Sequence, residues 1–384
     1  MNDTDVLVVG AGPTGLTLAA SLLAQGIHTH VVDKQPAGAN TSRAAAVNAR
    51  TLEVLEGIDV ARRLVKAGLI APRFTMREAS KLLIPVDFST LPTEYPYTLM
   101  ISQADTERLL EERLNELGTS ETRVVRPKSL SHLDQDATGV TATFDDGETI
   151  RASYVVGADG MHSTVREQAG IGFTGGQFAE SFALADVRVT GAAPRDEVIL
   201  FYANEGLNVL APLPDDIFRI VAPVAEAPEM PSAEFAQKLL DTRGFGPGRT
   251  TVTELLWGSR FRIHHRVADS YRAGRLLLAG DAAHVHSPAG GQGMNLGITD
   301  AVALANALAE VLHEDAPASG SLDTYSAVQR QRAQQVLTLT GRLTRVATLP
   351  RPLRPIRNSA MRLAAHVPAT RRQLAWRLSG LVYR

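Results

Sequence analysis

The chain begins with a short apolar run, a glycine-rich turn, an Ala/Leu-rich stretch and a second apolar run, which predict a strand, a tight turn, a helix and a second strand. The apolar run Val6 to Val9 is followed by three glycines, and an Ala/Leu-rich stretch then ends near Gly26. A second apolar run, His30 to Val32, comes next. Short apolar runs on either side of a helical stretch are typical of a parallel βαβ unit. We therefore expect an α/β fold that opens with this unit in residues 1–70.

The middle of the chain has the period of two that antiparallel strands show. Apolar and polar residues alternate from Val124 to Val156, and Asp145 to Gly147 predicts a hairpin turn within that run. Short alternating strands are also expected from Phe178 to about His265, while Phe74 to Met100 is patchier. Asp105 to Leu117 has a helical pattern. The strand-rich segments predict an antiparallel sheet that forms a second domain.

The first glycine-rich turn has the spacing of a dinucleotide-binding motif. Gly10 can adopt a backbone geometry that other residues resist, Gly12 lets the main chain approach a pyrophosphate, and Gly15 lets helix and strand pack closely. Asp33, 23 residues after Gly10, suits hydrogen bonds to ribose hydroxyls. An ordinary glycine turn is the alternative, but the flanking strand, helix and acid favour the dinucleotide. The expected cofactor-binding residues here are Gly10, Gly12, Pro13, Thr14, Gly15, Asp33 and Lys34.

Two later segments place acidic residues at the ends of apolar runs. YVVGADGMHSTVRE contains Asp159 and Gly160, which by themselves could form only a turn. GRLLLAGDAAH is an apolar strand that ends in Gly280 and Asp281, and α/β folds bind ligands at such strand ends. The segment from Ser287 to Asn295 is predicted to be a glycine-rich loop before a long helix. The N-terminus of that helix would stabilise negative charge on a bound ligand.

The three segments together resemble the class A flavoprotein monooxygenases, the para-hydroxybenzoate hydroxylase-like group. Within that group they resemble the hydroxylases of aromatic polyketides and related natural products, over residues 5–325. The resemblance implies that Asp159 and Gly160 contact the FAD pyrophosphate and the route of NAD(P)H. It also implies that Asp281 binds the ribityl chain. SRAAAVNARTLEVLE resembles the segment whose first Arg, here Arg43, lies beside the flavin.

The resemblance assigns further site residues. SQADTERLLEERL resembles the segment whose Gln contacts the cofactor, which is Gln103 here. Pro288 occupies the family's position above the flavin, so Arg43 and Pro288 are the catalytic candidates. The helix N-terminus beyond the loop would stabilise the anionic reduced flavin. The remaining residues expected to bind FAD are Gly280, Gly291, Gln292, Gly293, Met294 and Asn295.

The implied reaction is hydroxylation by a single-component FAD enzyme. NAD(P)H would bind transiently and reduce the flavin, and dioxygen would form a C4a-hydroperoxyflavin. Its distal oxygen would pass to an aromatic or polyketide-like small molecule. The residues single out no general base, no substrate and no preference between NADPH and NADH. Two alternatives stay open: a flavin-dependent reductase of prenyl chains on the same fold, and a non-enzymatic flavoprotein that acts as a binding module.

The flavin motifs interleave with the strand-rich segments, which predicts a discontinuous domain organisation. A Rossmann-like FAD-binding domain, an antiparallel-sheet substrate domain and a C-terminal helical region are expected. Their predicted boundaries are 1–70, 101–175 and 270–325 for the first, 71–100 and 176–269 for the second, and 326–384 for the third.

The C-terminal region is strongly basic. No Asp or Glu follows Asp323, while Arg recurs from Arg330 to Arg384. One interpretation is a basic amphipathic cover that touches an anionic membrane or a partner; we favour a helical tail packed on the acidic remainder of the same molecule. A thioredoxin-like domain, which many longer polyketide hydroxylases carry, is expected to be absent. Helices are expected to break at Pro350, Pro352, Pro355 and Pro368.

Composition supports a soluble enzyme. With 384 residues, 44% hydrophobic content and a net charge of −2, the chain can bury a large core, and no nucleic-acid partner is expected. The absence of cysteine excludes a CxxC redox centre, and with it the flavin disulfide reductases. His284 and His286 lack an evident third ligand, so loop packing rather than a metal is expected. Without a signal peptide or a long apolar run, a cytoplasmic location is expected.

Overall fold

A computed structural model describes residues 3–38, 44–119, 122–287, 291–313 and 318–384. It does not describe the side chains of residues 178–180, 263, 318 and 319. The strands in these ranges are β1 Thr4–Val9, β2 Thr29–Val32, β3 Ala46–Val47, β4 Leu69–Ala71, β5 Arg73–Glu78, β6 Lys81–Asp87, β7 Thr98–Met100, β8 Leu130–Gln135, β9 Val140–Phe144, β10 Thr149–Gly157, β11 Phe173–Gly191, β12 Glu197–Ala203, β13 Gly206–Pro212, β14 Ile217–Val224, β15 Thr250–Ala268, β16 Arg272–Ala273, β17 Leu276–Leu278 and β18 His284–Val285. The helices are α1 Pro13–Ala24, α2 Ala49–Leu55, α3 Ala61–Ala67, α4 Gln103–Leu117, α5 Thr164–Gln168, α6 Ala233–Arg243, α7 Gly293–His313, α8 Ala318–Ala347, α9 Arg354–Ala365 and α10 Pro368–Leu378.

The apolar runs that the sequence predicts as strands form a parallel sheet. Its order is β17-β10-β1-β2, and Val8 of β1 pairs with Val31 on one side and Val156 on the other. Helix α1 connects β1 to β2, which confirms the predicted βαβ unit. Strand β9 extends the sheet antiparallel to β10, and Gly147, with a φ of 84°, forms the predicted hairpin turn between them.

A second, eight-stranded sheet has the order β18-β15-β11-β14-β13-β12-β5-β6. Its neighbouring strands are antiparallel except for the pair of β12 and β5. The expected antiparallel sheet is therefore present. The main hydrophobic core lies around the first sheet and reaches one face of the second, while a smaller core lies between the second sheet and α6.

Two features of this sheet differ from the sequence prediction. Strands β11 and β15 are 19 residues each, not short, because shifts of register such as the one between Gln177 and Ser181 interrupt the alternation without ending the pairing. The segment also contains helix α6, which the alternation did not predict. Ser232 caps that helix, and Leu239 and Leu240 are buried on the side of the helix that faces the sheet.

Two predicted helix boundaries are wrong by two or three residues. Helix α4 begins at Gln103 rather than Asp105, because Ser102 caps it by accepting a hydrogen bond from the backbone N–H of Asp105. Helix α7 begins at Gly293, so Gly293 to Asn295 form its first turn and not the end of the preceding loop. Glycine destabilises a helix chiefly in its interior, so Gly293 is tolerated in this first turn.

The C-terminal region is helical, as predicted. Pro350 follows α8, whereas Pro355 and Pro368 lie in the first turns of α9 and α10 and so mark helix starts. Helices α9 and α10 both pack against β6. This packing on the body of the molecule agrees with the interpretation of the tail that we favour.

Helix α7 is the one helix in the described ranges that is long and apolar enough to cross a membrane. Half of its most apolar window is buried, and it packs against α1 and α8. Buried contacts of this kind are those of a core helix.

Candidate functional site

The first glycine-rich turn is closely packed on one side and open on the other. A Cβ atom at Gly10 would overlap the carbonyl oxygen of Ala158, and one at Gly15 would overlap the carbonyl oxygen of Gly10. A Cβ at Gly12 would meet nothing within 4 Å. Gly10 and Gly15 are therefore packing requirements, while Gly12 leaves space for a ligand beside the backbone.

The N-terminus of α1 faces this open space. Gly12 is its N-cap residue and supplies no side-chain hydrogen bond, whereas Asn48 and Ser102 cap α2 and α4 with theirs. Pro13 occupies the first helical turn, where its missing N–H is tolerated. Gly12 thus offers no side-chain acceptor to the first-turn N–H groups of α1, which suits a pyrophosphate at this position.

Asp33 lies at the end of β2, beside the glycine-rich turn. Its Oδ2 accepts a hydrogen bond from the backbone N–H of Ala11 at 2.6 Å, and its Oδ1 accepts one from Gln35 at 2.7 Å. A carboxylate offers about four lone-pair positions, so it can also accept ribose hydroxyls. Lys34 follows with an exposed side chain.

Asp159 has a structural role as well as its expected contact with the cofactor. Its Oδ2 accepts the backbone N–H groups of Thr164 at 2.7 Å and Val165 at 3.2 Å, at the start of α5. Burial raises the pKa of this carboxyl, against the hydrogen bonds that favour its charged form. The inaccessible Oδ1 has no hydrogen-bond partner in the described part of the chain, and Gly160 has a φ of 81°. The turn is therefore present, and the Asp159 carboxylate faces the protein interior at the start of α5.

Thr14 joins the first and third motifs. Gly280 has a φ of 62°, and a Cβ there would lie 2.5 Å from the Thr14 hydroxyl oxygen. A Cβ at Gly297, in α7, would overlap the same oxygen. Two glycines thus bring the Gly280-Asp281 turn and the start of α7 against α1, and Asp281 is exposed at this junction.

A buried His-Asp pair lies behind the Gly280-Asp281 turn. Asp300 Oδ2 lies 2.5 Å from His284 Nε2 and accepts the backbone N–H of Gly280 at 3.3 Å. Burial opposes charging of His284, but the adjacent Asp300 outweighs it and raises the pKa of the imidazole. Burial lowers the pKa of His286 to about 4. Among the described residues, no three His, Cys, Asp or Glu side chains come together as a metal site would require.

The first turn of α7 is tied to the segment that follows Arg43. Asn295 accepts the backbone N–H of Asn48 at 2.9 Å and donates to the carbonyl oxygen of Ala46 at 2.8 Å. Gln103 accepts the backbone N–H of Ala44 at 3.3 Å. The buried side chain of Gln292 instead donates to the Leu378 carbonyl oxygen in α10, at 3.2 Å.

One cavity of about 820 Å³ connects these elements. Arg43 and Pro288 lie outside the described residues, although their neighbours Ala44 and Ser287 line the cavity. The predicted residues that line it are Gly12, Pro13, Thr14, Gln103, Gly160, Asp281, Gly291, Gly293, Met294 and Asn295. Those that do not are Gly10, Gly15, Asp33, Lys34, Asp159, Gly280 and Gln292.

The second sheet supplies the apolar wall of the cavity. Phe182 stacks on Phe261, with ring centroids 5.5 Å apart and an interplanar angle of 28°. Arg219 pairs with both oxygens of Asp186, at 2.7 and 2.8 Å, and donates to the Ala44 carbonyl oxygen at 3.0 Å. This pair connects the second sheet to the segment beside Arg43. Other lining residues of this sheet are Met76, Leu200, Tyr202, Val209 and His264.

Sequence reasoning missed a third wall. Helices α8 and α10, from the predicted C-terminal region, line the same cavity. In the sequence, only the apolar residues that lie between the arginines of this region could have indicated that it packs against the cavity. The lining residues are Leu339, Leu343, Thr344, Ala347, Thr348, Leu374, Arg377 and Leu378.

The parallel sheet, the open glycine turn and the helix N-terminus beside it are the features of a dinucleotide-binding protein. The FAD binding domain family matches residues 3–340, and the chain belongs to this family. The membership confirms the predicted α/β fold class and FAD as the cofactor type.

Three similar proteins illustrate the range of the family. The chain is 36% identical over 355 residues to 6-methylpretetramide 4-monooxygenase of Streptomyces rimosus. The aligned region covers 91% of this chain and 63% of that protein. It therefore spans less than two thirds of that relative. The solved structure of p-nitrophenol 4-monooxygenase from Pseudomonas putida matches with a TM-score of 0.83 and 27% identity, over 97% of this chain and 96% of that one. The solved structure of a Diels-Alderase of pyrroindomycin biosynthesis matches with a TM-score of 0.82 and 30% identity, over 98% of this chain and 80% of that chain.

Proposed function

We propose that this protein is an FAD-dependent monooxygenase that consumes NAD(P)H and dioxygen and hydroxylates an aromatic or polyketide-like small molecule. The observation that carries the proposal is the single cavity bounded by the flavin-nucleotide motifs on one side and a stacked aromatic pair on the other. Relatives named 6-methylpretetramide 4-monooxygenase and p-nitrophenol 4-monooxygenase support it.

Different residues of the chain would bind different parts of FAD. The first-turn N–H groups of α1 would bind the pyrophosphate, with Gly12 admitting it, and Asp33 would accept the ribose hydroxyls. Asp281 would accept the ribityl hydroxyls, and the N-terminus of α7 would stabilise negative charge on the reduced ring. Bound FAD, once reduced by NAD(P)H, supplies the activation of dioxygen. Arg43 and Pro288 remain the proposed residues beside the ring.

The cavity wall would hold the substrate and keep water out. Phe182 and Phe261 offer aromatic surface to a flat, apolar molecule, and Leu343 and Leu378 close the cavity from the C-terminal helices. Excluding water protects reactive intermediates from unproductive decay.

His264 is the proposed proton acceptor for a phenolic substrate. It lines the cavity, and its Nδ1 has no hydrogen-bond partner in the described ranges. Burial, together with Arg266, His162 and Arg262, lowers the pKa of His264, which favours the neutral imidazole that a proton acceptor needs before it reacts.

The predicted domains belong to the same proposal, with one refinement. Residues 1–70, 101–175 and 270–325 would form the FAD-binding domain, and residues 71–100 and 176–269 the substrate domain. Support comes from the first sheet, whose strands fall in the FAD-binding ranges, and from the second sheet, most of whose strands fall in the substrate ranges. Residues 326–384 would also contribute to the substrate cavity, through α8 and α10. A cytoplasmic location is also proposed.

The test is NAD(P)H consumption by the FAD-loaded protein under ¹⁸O₂, with a panel of phenols and aromatic polyketides. Substrate-stimulated consumption with one labelled oxygen atom in the product is expected. A reduced product formed without oxygen would support the prenyl reductase, and an isomer formed without NAD(P)H would support a cyclase such as the Diels-Alderase. Bound FAD without any turnover across the panel would favour the binding module.

A pair of variants connects this activity to the cavity. Phe182→Ala combined with Phe261→Ala should raise KM by about tenfold or more, because stacking and burial of an aromatic ring are lost. Phe245→Leu is the matched control, since Phe245 packs on Phe201 in the smaller core by α6 and does not line the cavity. Equal kinetics for both variants would argue against this wall as the substrate site.

A further inference from the structure

Helix α9 has an inverted arrangement of polar and apolar residues. Arg357 and Asn358 are 6% and 0% exposed and face the body of the protein. Ile356 and Leu363 are 67% and 73% exposed. An amphipathic helix on a soluble protein ordinarily buries its apolar stripe and exposes its polar face. Met361 and Ala365 also pack inward, so the inner face is mixed, while Ile356 and Leu363 leave apolar surface on the outside that a partner could cover.

The polar contacts fix this orientation. Arg357 donates to the carbonyl oxygens of Tyr202 at 3.1 Å and Ala347 at 3.2 Å. Asn358 donates to the carbonyl oxygen of Tyr202 at 3.1 Å and to the Glu78 carboxylate at 2.8 Å. Rolling the helix over to bury its apolar residues would leave these buried polar groups without partners, which is unfavourable. The apolar stripe is therefore held outward.

The outward residues form one continuous stripe. They recur at intervals of three and four positions, so they lie on one side of the helix. Leu353 is 45% exposed and Val367 is 50% exposed, so the stripe extends from the turn before α9 to the turn after it. We call the stripe the outer face of α9, and it consists of Leu353, Ile356, Ala360, Leu363 and Val367.

The charges around the outer face indicate the kind of surface it meets. The 61 residues after Asp323 contain 12 Arg and no Asp or Glu. Arg351, Arg371 and Arg372 are exposed beside the two ends of the stripe. A second copy of the chain would bring cations against cations, which is repulsive, whereas an anionic surface would be complementary.

We propose that the outer face of α9 docks on an anionic lipid bilayer. The stripe would enter the boundary between headgroups and acyl chains, and the arginines beside it would pair with lipid phosphates. The helix would lie in the plane of the interface and would not cross it. Helices α8 and α10, which line the cavity, are directly connected to this docking helix.

The test is co-sedimentation of the full chain, loaded with FAD, with phosphatidylcholine vesicles and with vesicles that also contain phosphatidylglycerol. The protein should bind the anionic vesicles, and salt should weaken the binding because it screens the arginines. Ile356→Ser combined with Leu363→Ser should lower the bound-to-free ratio by about tenfold or more, because buried apolar area drives insertion. Met230→Ser is the matched control, since Met230 is 81% exposed and lies in the segment before α6.

Bound flavin absorbance and circular dichroism would verify that each variant is folded. The proposal is overturned if the folded wild type does not bind anionic vesicles, or if the double variant binds as well as wild type. Light scattering would measure whether the protein forms a dimer through the outer face of α9. A wild-type dimer that the double variant dissociates would assign the outer face to a second copy of the chain and would also overturn the proposal.

Discussion

Replacement of Asp300 by Ala should strongly destabilise the protein, because this carboxylate lies at the centre of the buried pair behind the Gly280-Asp281 turn. Asp300 is 0% exposed and His284 is 1% exposed. The change removes hydrogen bonds to the His284 imidazole and to the Gly280 backbone N–H. Breaking a buried ion pair by removing one partner costs about 3–5 kcal/mol, which is a large fraction of the roughly 5–15 kcal/mol by which a domain is stable.

Urea unfolding followed by flavin absorbance would measure this loss, and a fluorescence titration would measure the Kd for FAD. Asp323→Ala is the matched control. Its carboxylate pairs with Arg272 on the surface, with 57% of the side chain exposed, so its removal should cost about 0–1 kcal/mol. The Kd for FAD should rise in Asp300→Ala alone, since the Gly280 N–H is released. A loss of unfolding free energy no larger than that of the control would refute the reasoning.

Three further predictions address the pH dependence, the glycine turn and the cavity. Because the pKa of His284 is raised, the stabilisation it contributes is fully present below its ordinary pKa of about 6.5 and is lost as pH rises through the folded-state value. The stability difference between wild type and Asp300→Ala, measured by urea unfolding across pH, should therefore shrink at high pH; a difference that grows would contradict this sign. Gly15→Ala should abolish FAD binding or folding, since its Cβ would overlap a backbone oxygen, whereas Gly57→Ala, with nothing within 4 Å, should bind FAD normally. Leu343→Trp should raise KM for large substrates more than for small phenols, because the indole would fill part of the 820 Å³ cavity; equal effects on both would place the substrate elsewhere.

The local structures around the candidate site that were predicted correctly are those whose signal lies in one short segment. The glycine turn, Asp33 at the end of β2 and the Gly280-Asp281 strand end each need only neighbouring residues to be recognised. The geometry of the turn follows from the positive φ that glycine permits. Such features can be predicted because local sterics decide them.

The parts that were missed depend on contacts between distant segments. Asp300 lies 16 positions after His284, in the middle of a helix, and nothing in the local pattern of α7 shows that its side chain turns toward a histidine. The contribution of α8 and α10 to the cavity depends equally on how the C-terminal helices pack on β6. The continuity of β11 was hidden by its register shifts, which disturb alternation while preserving pairing.

The C-terminal wall of the cavity has a consequence for how specificity can be changed. The family match ends at residue 340, yet Leu374 and Leu378 of α10 line the cavity beyond it. We expect that exchanging the last helices for those of a relative, at the junction after α8, would reshape one side of the proposed substrate cavity. The glycine-rich turn of β1 and α1 would stay unchanged, and the graft must keep the carbonyl oxygen that Leu378 offers to Gln292.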